Sequence, residues 1–164
     1  RHFAERDPLT SIYNRRSFMT LLDKSVNLMQ RMHSPLSLLG LDLDHFKRIN
    51  DTWGHSSGDQ ALRHFVQLVS DHLRNEDVIG RIGGEEFIIF LPNTGLEAAA
   101  GVAERLRALI ESQPVAGPHG PIALTVSIGV TLIARGETQE AALQRVDEAM
   151  YRAKAKGRNR VELA

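Results

Sequence analysis

Two pairs of carboxylates stand where this chain can do chemistry: Asp42 and Asp44 close a short apolar run, and Glu85 and Glu86 follow a Gly83-Gly84 dipeptide. Acids so grouped hold hard cations. The stretch DLDHFKRIND, residues 42–51, sets two of them beside the opening of a helix around His45 to Lys47. The free N–H groups and dipole of a helix start favour an anionic phosphate, while the acids hold its counter-cation. Magnesium suits that combination, because it takes few carboxylates and fills its remaining positions with phosphate oxygens and water. Acids in turns are also commonly plain solvated surface, so the pairs count only if the fold brings them together. Near the C-terminus Arg152, Lys154, Lys156, Arg158 and Arg160 crowd a helix end. Their charge complements the helix dipole, and Lys154 and Arg158, four apart on one helix face, are also candidate phosphate clamps.

The elements that must position these groups come from one domain: 164 residues suffice for a single core and not for two. Hydrophobic residues at 42% and charged residues at 24% exclude a disordered or fibrous chain. Twenty basic residues balance twenty acidic ones, so no broad positive field exists for nucleic acid or a membrane surface. A phosphate-bearing ligand must therefore be held locally. Without cysteine there is no disulfide, thiolate zinc site or cysteine nucleophile. No apolar run approaches the ~18 residues of a membrane span, and no signal peptide is visible.

Phe18, Leu21, Leu22, Ser25, Met29 and Met32 predict an amphipathic helix over Arg15–Met32, closed by Pro35. LSLLGLDL, Leu36–Leu43, reads as a buried strand ending at the first acid pair. After a polar stretch around Gly54 to Gly58, Leu62, Phe65, Val66, Val69 and Leu73 form a second helical stripe. Segments 78–82 and 86–91 read as strands joined by Gly83-Gly84, a dipeptide able to supply the positive φ angles of a tight hairpin. Ala99, Val102, Ala103, Leu106 and Ile110 mark a third helix, and 115–121 reads as loop. From Ile122 to Leu132 the chain alternates apolar and small residues, which predicts one strand with a single face on a core. Leu143, Val146, Met150 and Ala153 define a final helix, and 161–163 a last edge strand. Hairpins mixed with helical crossovers imply an α+β fold, an antiparallel-rich central sheet flanked by helices.

Five blocks resemble the GGDEF family of diguanylate cyclases: DPLTSIYNRR (7–16), DLDHFKRINDTWGHSSGD (42–59), RIGGEEF (81–87, the GGEEF spelling), SIGV (127–130) and DEAMYRAKAKGRNR (147–160). They stand in the family's order and cover nearly the whole chain. The resemblance implies a ferredoxin-like sheet related to nucleotidyl-cyclase and polymerase palm domains, over 7–164, with 1–6 the end of an upstream linker. Ser11 stands where a glycine is usual, so the entry turn can differ in shape, and Ile82 replaces a frequent aromatic.

What the resemblance implies for function is condensation of two GTP molecules to cyclic di-GMP with loss of two pyrophosphates. Asp42, Glu85 and the Leu43 carbonyl would bind two magnesium ions, or manganese in their place, with Glu86 close by. Gly83 and Gly84 would let the nucleotide lie against the hairpin. Phe46 and Lys47 would offer backbone donors to the β- and γ-phosphates, and Lys154 and Arg158 would add charge. Asn50 and Asp59 match the guanine-reading positions: Asp59 can accept from N1 and N2, a donor pair adenine lacks. His55 would lie near the ribose or base or else pack a turn, and Trp53 is either core or pocket wall. Arg74 and Asp77 match the family's RxxD product-inhibition motif, with Arg105 its secondary arginine; an ordinary helix-end ion pair is the plainer alternative. The implied partners are GTP, cyclic di-GMP as product and inhibitor, and a second copy of the domain, with neither nucleic acid nor membrane in contact with it. The resemblance also implies a cytoplasmic output domain of a longer signalling protein. A non-catalytic binding module and a purine cyclase of relaxed base choice are the competing readings. Intact motifs weigh against the first, and Asp59 against the second.

Overall fold

The computed structural model describes residues 4–164, so residues 1–3 of the expected linker lie outside the described residues. Asn14 caps α1 (Arg15–Met32) by accepting from the Ser17 N–H at 3.0 Å. The strand β1 (Leu36–Leu43) is buried along its whole length. Next come α2 (Phe46–Trp53), α3 (His55–Asp71), β2 (Val78–Arg81), β3 (Glu86–Pro92), α4 (Leu96–Ser112), β4 (Val115–Gly117), β5 (Gly120–Ile122), β6 (Val126–Leu132), α5 (Gln139–Ala155) and β7 (Arg160–Leu163).

The main sheet has the order β2-β3-β1-β6-β7, antiparallel except for the parallel β6–β7 pair at one edge. This is the expected α+β architecture, with helices on both faces. Alternation along β1 divides the core: Leu39, Leu41 and Leu43 join Phe65, Val69, Ala103 and Leu106 of α3 and α4, whereas Leu36 and Leu38 join Phe18, Leu22, Ala142 and Val146 of α1 and α5. That division explains why β1 reads as a continuous apolar run, since a strand covered on both sides has no solvent face to mark with polar residues.

Four expectations need correction. The strand predicted from Ile122 to Leu132 is split: Ile122 pairs with Val115 in a separate two-stranded sheet, and β6 begins only at Val126. The alternation runs across the break because Ile122, Leu124, Val126, Ile128 and Val130 all enter one core. Nor does β6 have only one buried face; its other side lies against α5, where a Cβ at Gly129 would come within 2.5 Å of the Met150 nitrogen and the Val146 carbonyl oxygen. Residues 115–121, expected as loop, include the β4–β5 hairpin, with Gly120 at φ 122°. Gly54, at φ 91°, separates α2 from α3, while Gly58 lies inside α3 and is no break.

Candidate active site

Strand parity places the acids. Asp42 lies two residues beyond Gly40, whose position packs against Val146 of α5, so its side chain emerges on the α5 face at the end of β1. Glu86 is its direct partner on β3, and the Leu43 N–H donates to the Glu85 carbonyl at 3.2 Å. The two acid pairs therefore converge. Gly40 and Gly129 let α5 approach the sheet closely, and this brings Lys154 Nζ to 2.7 Å from Asp42 Oδ2.

The electrostatics are those of crowded anions. Burial pushes the Asp42 carboxyl up, the neighbouring Glu85 and Asp44 charges push the same way, and Lys154 only partly offsets them. Burial likewise raises Glu86, helped by Asp147 and Asp42 and opposed by Lys154 and Arg15. Neither Asp147 nor Arg15 stood out in the sequence as a member of this cluster. Asp44 plays a different part. It is buried, and it accepts from Thr125 Oγ1 at 2.7 Å, Ser127 Oγ at 2.6 Å and the Asn159 N–H at 2.9 Å.

The Glu85-Glu86 turn is held from below. Arg81 donates to the Gly83 and Gly84 carbonyls, with Nη2 at 2.7 Å from the latter, while its Nη1 lies 3.2 Å from Asp7 Oδ2. The turn is longer than the expected two-residue hairpin, Ile82 and Gly83 both donating to the Glu86 carbonyl, and neither Gly83 nor Gly84 has a positive φ. A Cβ would meet nothing within 4 Å at Gly84 and only Glu86 Cβ, at 3.6 Å, at Gly83. The fold itself thus demands glycine at neither position.

The opening turn of the chain is part of this support. Thr10 donates to Asp7 Oδ2 through both its N–H and its hydroxyl, at 2.9 and 2.7 Å. Ser11, at φ 67°, keeps the left-handed conformation that a glycine would adopt freely, so the departure from the usual residue leaves the turn glycine-like. Burial by itself would raise the Asp7 carboxyl, but its bonds to Thr10 and the Arg81 charge outweigh it and hold it below the ordinary value of 3.8. A depressed folded-state pKa stabilises the fold above the unfolded value, and this contribution fades as pH falls through the folded one. Asp7→Asn is expected to cost about 1–3 kcal/mol near neutral pH. In urea unfolding at stepped pH, the gap between parent and variant should close below about pH 4. A gap that stays constant into acid would remove Asp7 from the charged clamp.

The start of α2 carries no side-chain cap, and His45 precedes it at φ 56°. Phe46 is partly buried, while Lys47 is exposed with its ammonium 3.0 Å from Asp51. Asn50 is turned toward α3, where a Cβ at Gly58 would collide with its carboxamide. Asp59, half-buried, follows Gly58, and His55 is exposed at the first position of α3. Trp53 is not core: it is 38% exposed, with its ring centroid 6.1 Å from that of His119 on the β4–β5 hairpin.

Arg158 departs from expectation, because α5 ends before it. Gly157 donates to the Lys154 carbonyl and Arg158 to the Ala153 carbonyl, a helix stop that turns the chain left-handed, and Arg158 does not share a helix face with Lys154. Arg74 is held at the α3–β2 connection: its side chain donates to Asp77 Oδ1 at 3.0 Å, the Pro92 carbonyl and Thr94 Oγ1. Arg105 is exposed on α4. An apolar groove of about 290 Å³ bordered by Met29, His33, Leu36 and Leu132 lies at the opposite end of β1 and has no part in the acid site.

Comparison with known proteins decides which family has this geometry. The family model described as diguanylate cyclase, GGDEF domain, matches residues 4–160. This chain belongs to the GGDEF domain family. It is 43% identical over 164 residues to diguanylate cyclase DgcP of Pseudomonas aeruginosa, covering all of this chain and 24% of that protein. It is also 43% identical over 161 residues to the response regulator PleD of Caulobacter vibrioides, covering 96% of this chain and 36% of PleD. The chain thus spans between a quarter and about a third of the length of these relatives. The crystal structure of the GGDEF domain of DgcB from Caulobacter crescentus, in complex with c-di-GMP, superposes with a TM-score of 0.94 at 33% identity over 99% of this chain and 94% of that one.

A GGDEF domain of the diguanylate cyclase type implies a divalent metal. Among the described residues no three His, Asp or Glu side chains converge closely enough to hold an ion as they stand. The donor chemistry nevertheless fits: Asp42, Glu85 and Glu86 are hard oxygen donors, Glu85 helps raise the Asp42 carboxyl, Asp42 helps raise that of Glu86, and the cation already drawn to Asp42 is Lys154. Among the described residues no helix is long and apolar enough to cross a membrane.

Proposed function

We propose that residues 7–164 form a diguanylate cyclase domain that condenses two GTP molecules into cyclic di-GMP and two pyrophosphates. The observation that carries this reading is the Asp42–Glu86 register, which puts both acid pairs at one sheet end beside Lys154 and the uncapped start of α2. The 3′-hydroxyl of one nucleotide attacks the α-phosphorus of the other, a new P–O bond replaces the bond to pyrophosphate, and the hydroxyl proton passes to solvent. The second hydroxyl repeats the step and closes the ring.

Asp42, Glu85 and the Leu43 carbonyl hold two magnesium ions, or manganese, with Glu86 adjacent. When bound, these ions lower the pKa of the attacking hydroxyl and neutralise charge on the departing pyrophosphate. The Phe46 and Lys47 N–H groups receive the β- and γ-phosphates at the α2 start, where donors and dipole favour an anion. Lys154 exchanges Asp42 for phosphate, and Arg158 adds a second charge. Gly83 and Gly84, free of contacts that would exclude a Cβ, leave the hairpin surface open to the nucleotide. Asn50 and Asp59 read the guanine edge, with His55 near the ribose. Incubation with GTP and magnesium, with products resolved by mass, tests the reading: cyclic di-GMP and pyrophosphate support it, and unconsumed GTP overturns it.

The same reading includes product inhibition. Arg74, Asp77 and Arg105 form the product site, and to use it Arg74 must redirect donors now spent on Asp77, Pro92 and Thr94. Arg74→Ala should relieve inhibition by added cyclic di-GMP at least tenfold and leave the initial rate within about twofold, a charge-assisted contact being worth roughly that factor or more. Undiminished inhibition of the variant would remove Arg74 from the product site.

A further inference from the structure

The chain has three consecutive residues in left-handed backbone just after α5: Gly157 at φ 119°, Arg158 at φ 65° and Asn159 at φ 47°. Glycine adopts this region freely and asparagine tolerates it, but arginine resists it, so such a run persists only where its surroundings over-determine it. Here they do so from both sides. The helix stop fixes the N-terminal side through the Ala153 carbonyl. The Asn159 N–H donates to buried Asp44 at 2.9 Å, and β7 starts at the next residue, Arg160 pairing with Ser127.

The Asn159 side chain ties the turn to α4 with both ends of its amide. Its Oδ1 accepts from Arg107 Nη1 at 2.9 Å, and its Nδ2 donates to Glu111 Oε2 at 2.7 Å. Arg107 is itself locked, bidentate to Glu104 at 2.9 and 2.7 Å and bonded to Glu111 at 3.0 Å. Only a group with a donor and an acceptor in this spacing satisfies both neighbours.

What this turn carries is an unspent cation. Arg152 donates to the Leu163 carbonyl, Lys154 pairs with Asp42, Lys156 with Glu162, and Arg160 with Glu162 and the Lys156 carbonyl. Among the described residues none pairs with the exposed Arg158 guanidinium.

We propose that Asn159 is a positioning residue for nucleotide binding: through Asp44, Arg107 and Glu111 it locks the left-handed turn that presents Arg158 to the phosphates of GTP. This rests on the cyclase reading for the identity of the ligand. An ordered turn lets Arg158 bind phosphate without first losing the freedom of a mobile loop, which is the gain expected of preorganisation.

The test measures binding of 3′-deoxy-GTP with magnesium by calorimetry, since this analogue cannot condense, and separately follows cyclic di-GMP formation from GTP. Arg158→Ala should weaken analogue binding on the order of tenfold. Asn159→Asp keeps the acceptor for Arg107 but sets a carboxylate against Glu111, and should weaken binding several-fold while adding little in the Arg158→Ala background, the mark of two residues acting as one unit. Glu111→Gln placed on Asn159→Asp restores a donor to the new carboxylate and should recover most of the loss. Asn159→Gly, which keeps the backbone and deletes the amide, should weaken binding as Asn159→Asp does. Parental binding in both Asn159 variants, effects fully additive with Arg158→Ala, or no effect of Arg158→Ala overturns the proposal, as does a parent that fails to bind the analogue. If the parent binds with this dependence on Asn159 and yet makes no cyclic di-GMP, the cyclase reading falls and the positioning role stands.

Discussion

Asp42→Asn is expected to lower cyclic di-GMP synthesis on the order of 10²-fold or more while the domain stays folded. The substitution keeps the side-chain volume of a residue that is 7% exposed at the end of β1, so the strand and its pairing with Glu86 persist. It deletes one negative charge where the fold has concentrated several against the cost of burial, and charge concentrated in a partly dry site acts far more strongly than it would in water. Glu85→Gln removes the neighbouring charge and should show a loss of the same order. Asparagine also leaves the Lys154 ammonium without its carboxylate, and that effect is separable because Lys154 is one-third exposed and can be hydrated. A thermal midpoint within a few degrees of the parent, together with a collapsed rate, places the loss in chemistry. A folded Asp42→Asn protein condensing GTP at the parental rate would exclude Asp42 from the reaction.

The sequence marks the candidate residues more clearly than how they are held. The acid pairs, the α2 start and Lys154 are legible because each lies beside the end of a marked apolar run or helical stripe, and the β1–β3 register then fixes the face of Asp42 and Glu86. What was not legible depends on contacts between segments distant in sequence. Asp44 looked like a second candidate ligand, but Thr125, Ser127 and Asn159, more than eighty residues away, take its oxygens. Arg81 and Asp7 stood in motifs without a role until the fold joined them at 3.2 Å beneath the glutamates. Spacing alone places Arg158 on a helix face with Lys154, although the glycine before it is a stop signal of the kind that ends helices. Alternation from Ile122 to Leu132 suggested one strand, because side-chain parity does not record which sheet the backbone is bonded to.

Specific activity of the isolated domain is expected to rise with protein concentration, and joining a parallel dimeric helix ahead of Asp7 should raise it at nanomolar protein by on the order of 10²-fold or more. The reaction asks each nucleotide to act once as nucleophile and once as electrophile, whereas the chain supplies one set of acids, one α2 start and one Lys154. Two copies facing each other across a two-fold axis satisfy both roles with identical contacts. The surface they would share is open, since Gly83, Gly84, Lys47 and Arg158 are all exposed around the acids. A dimerising helix converts that encounter into an intramolecular one without adding a contact to the active site, so the gain should be largest at high dilution and should vanish once the parent is saturated with itself. The link from Asp7 through Arg81 to the Gly83 and Gly84 carbonyls also ties the entry turn, where such a helix would be joined, to the acid-bearing hairpin. A specific activity that stays flat on dilution, and is unmoved by the fused helix, would mean that one domain completes the condensation alone.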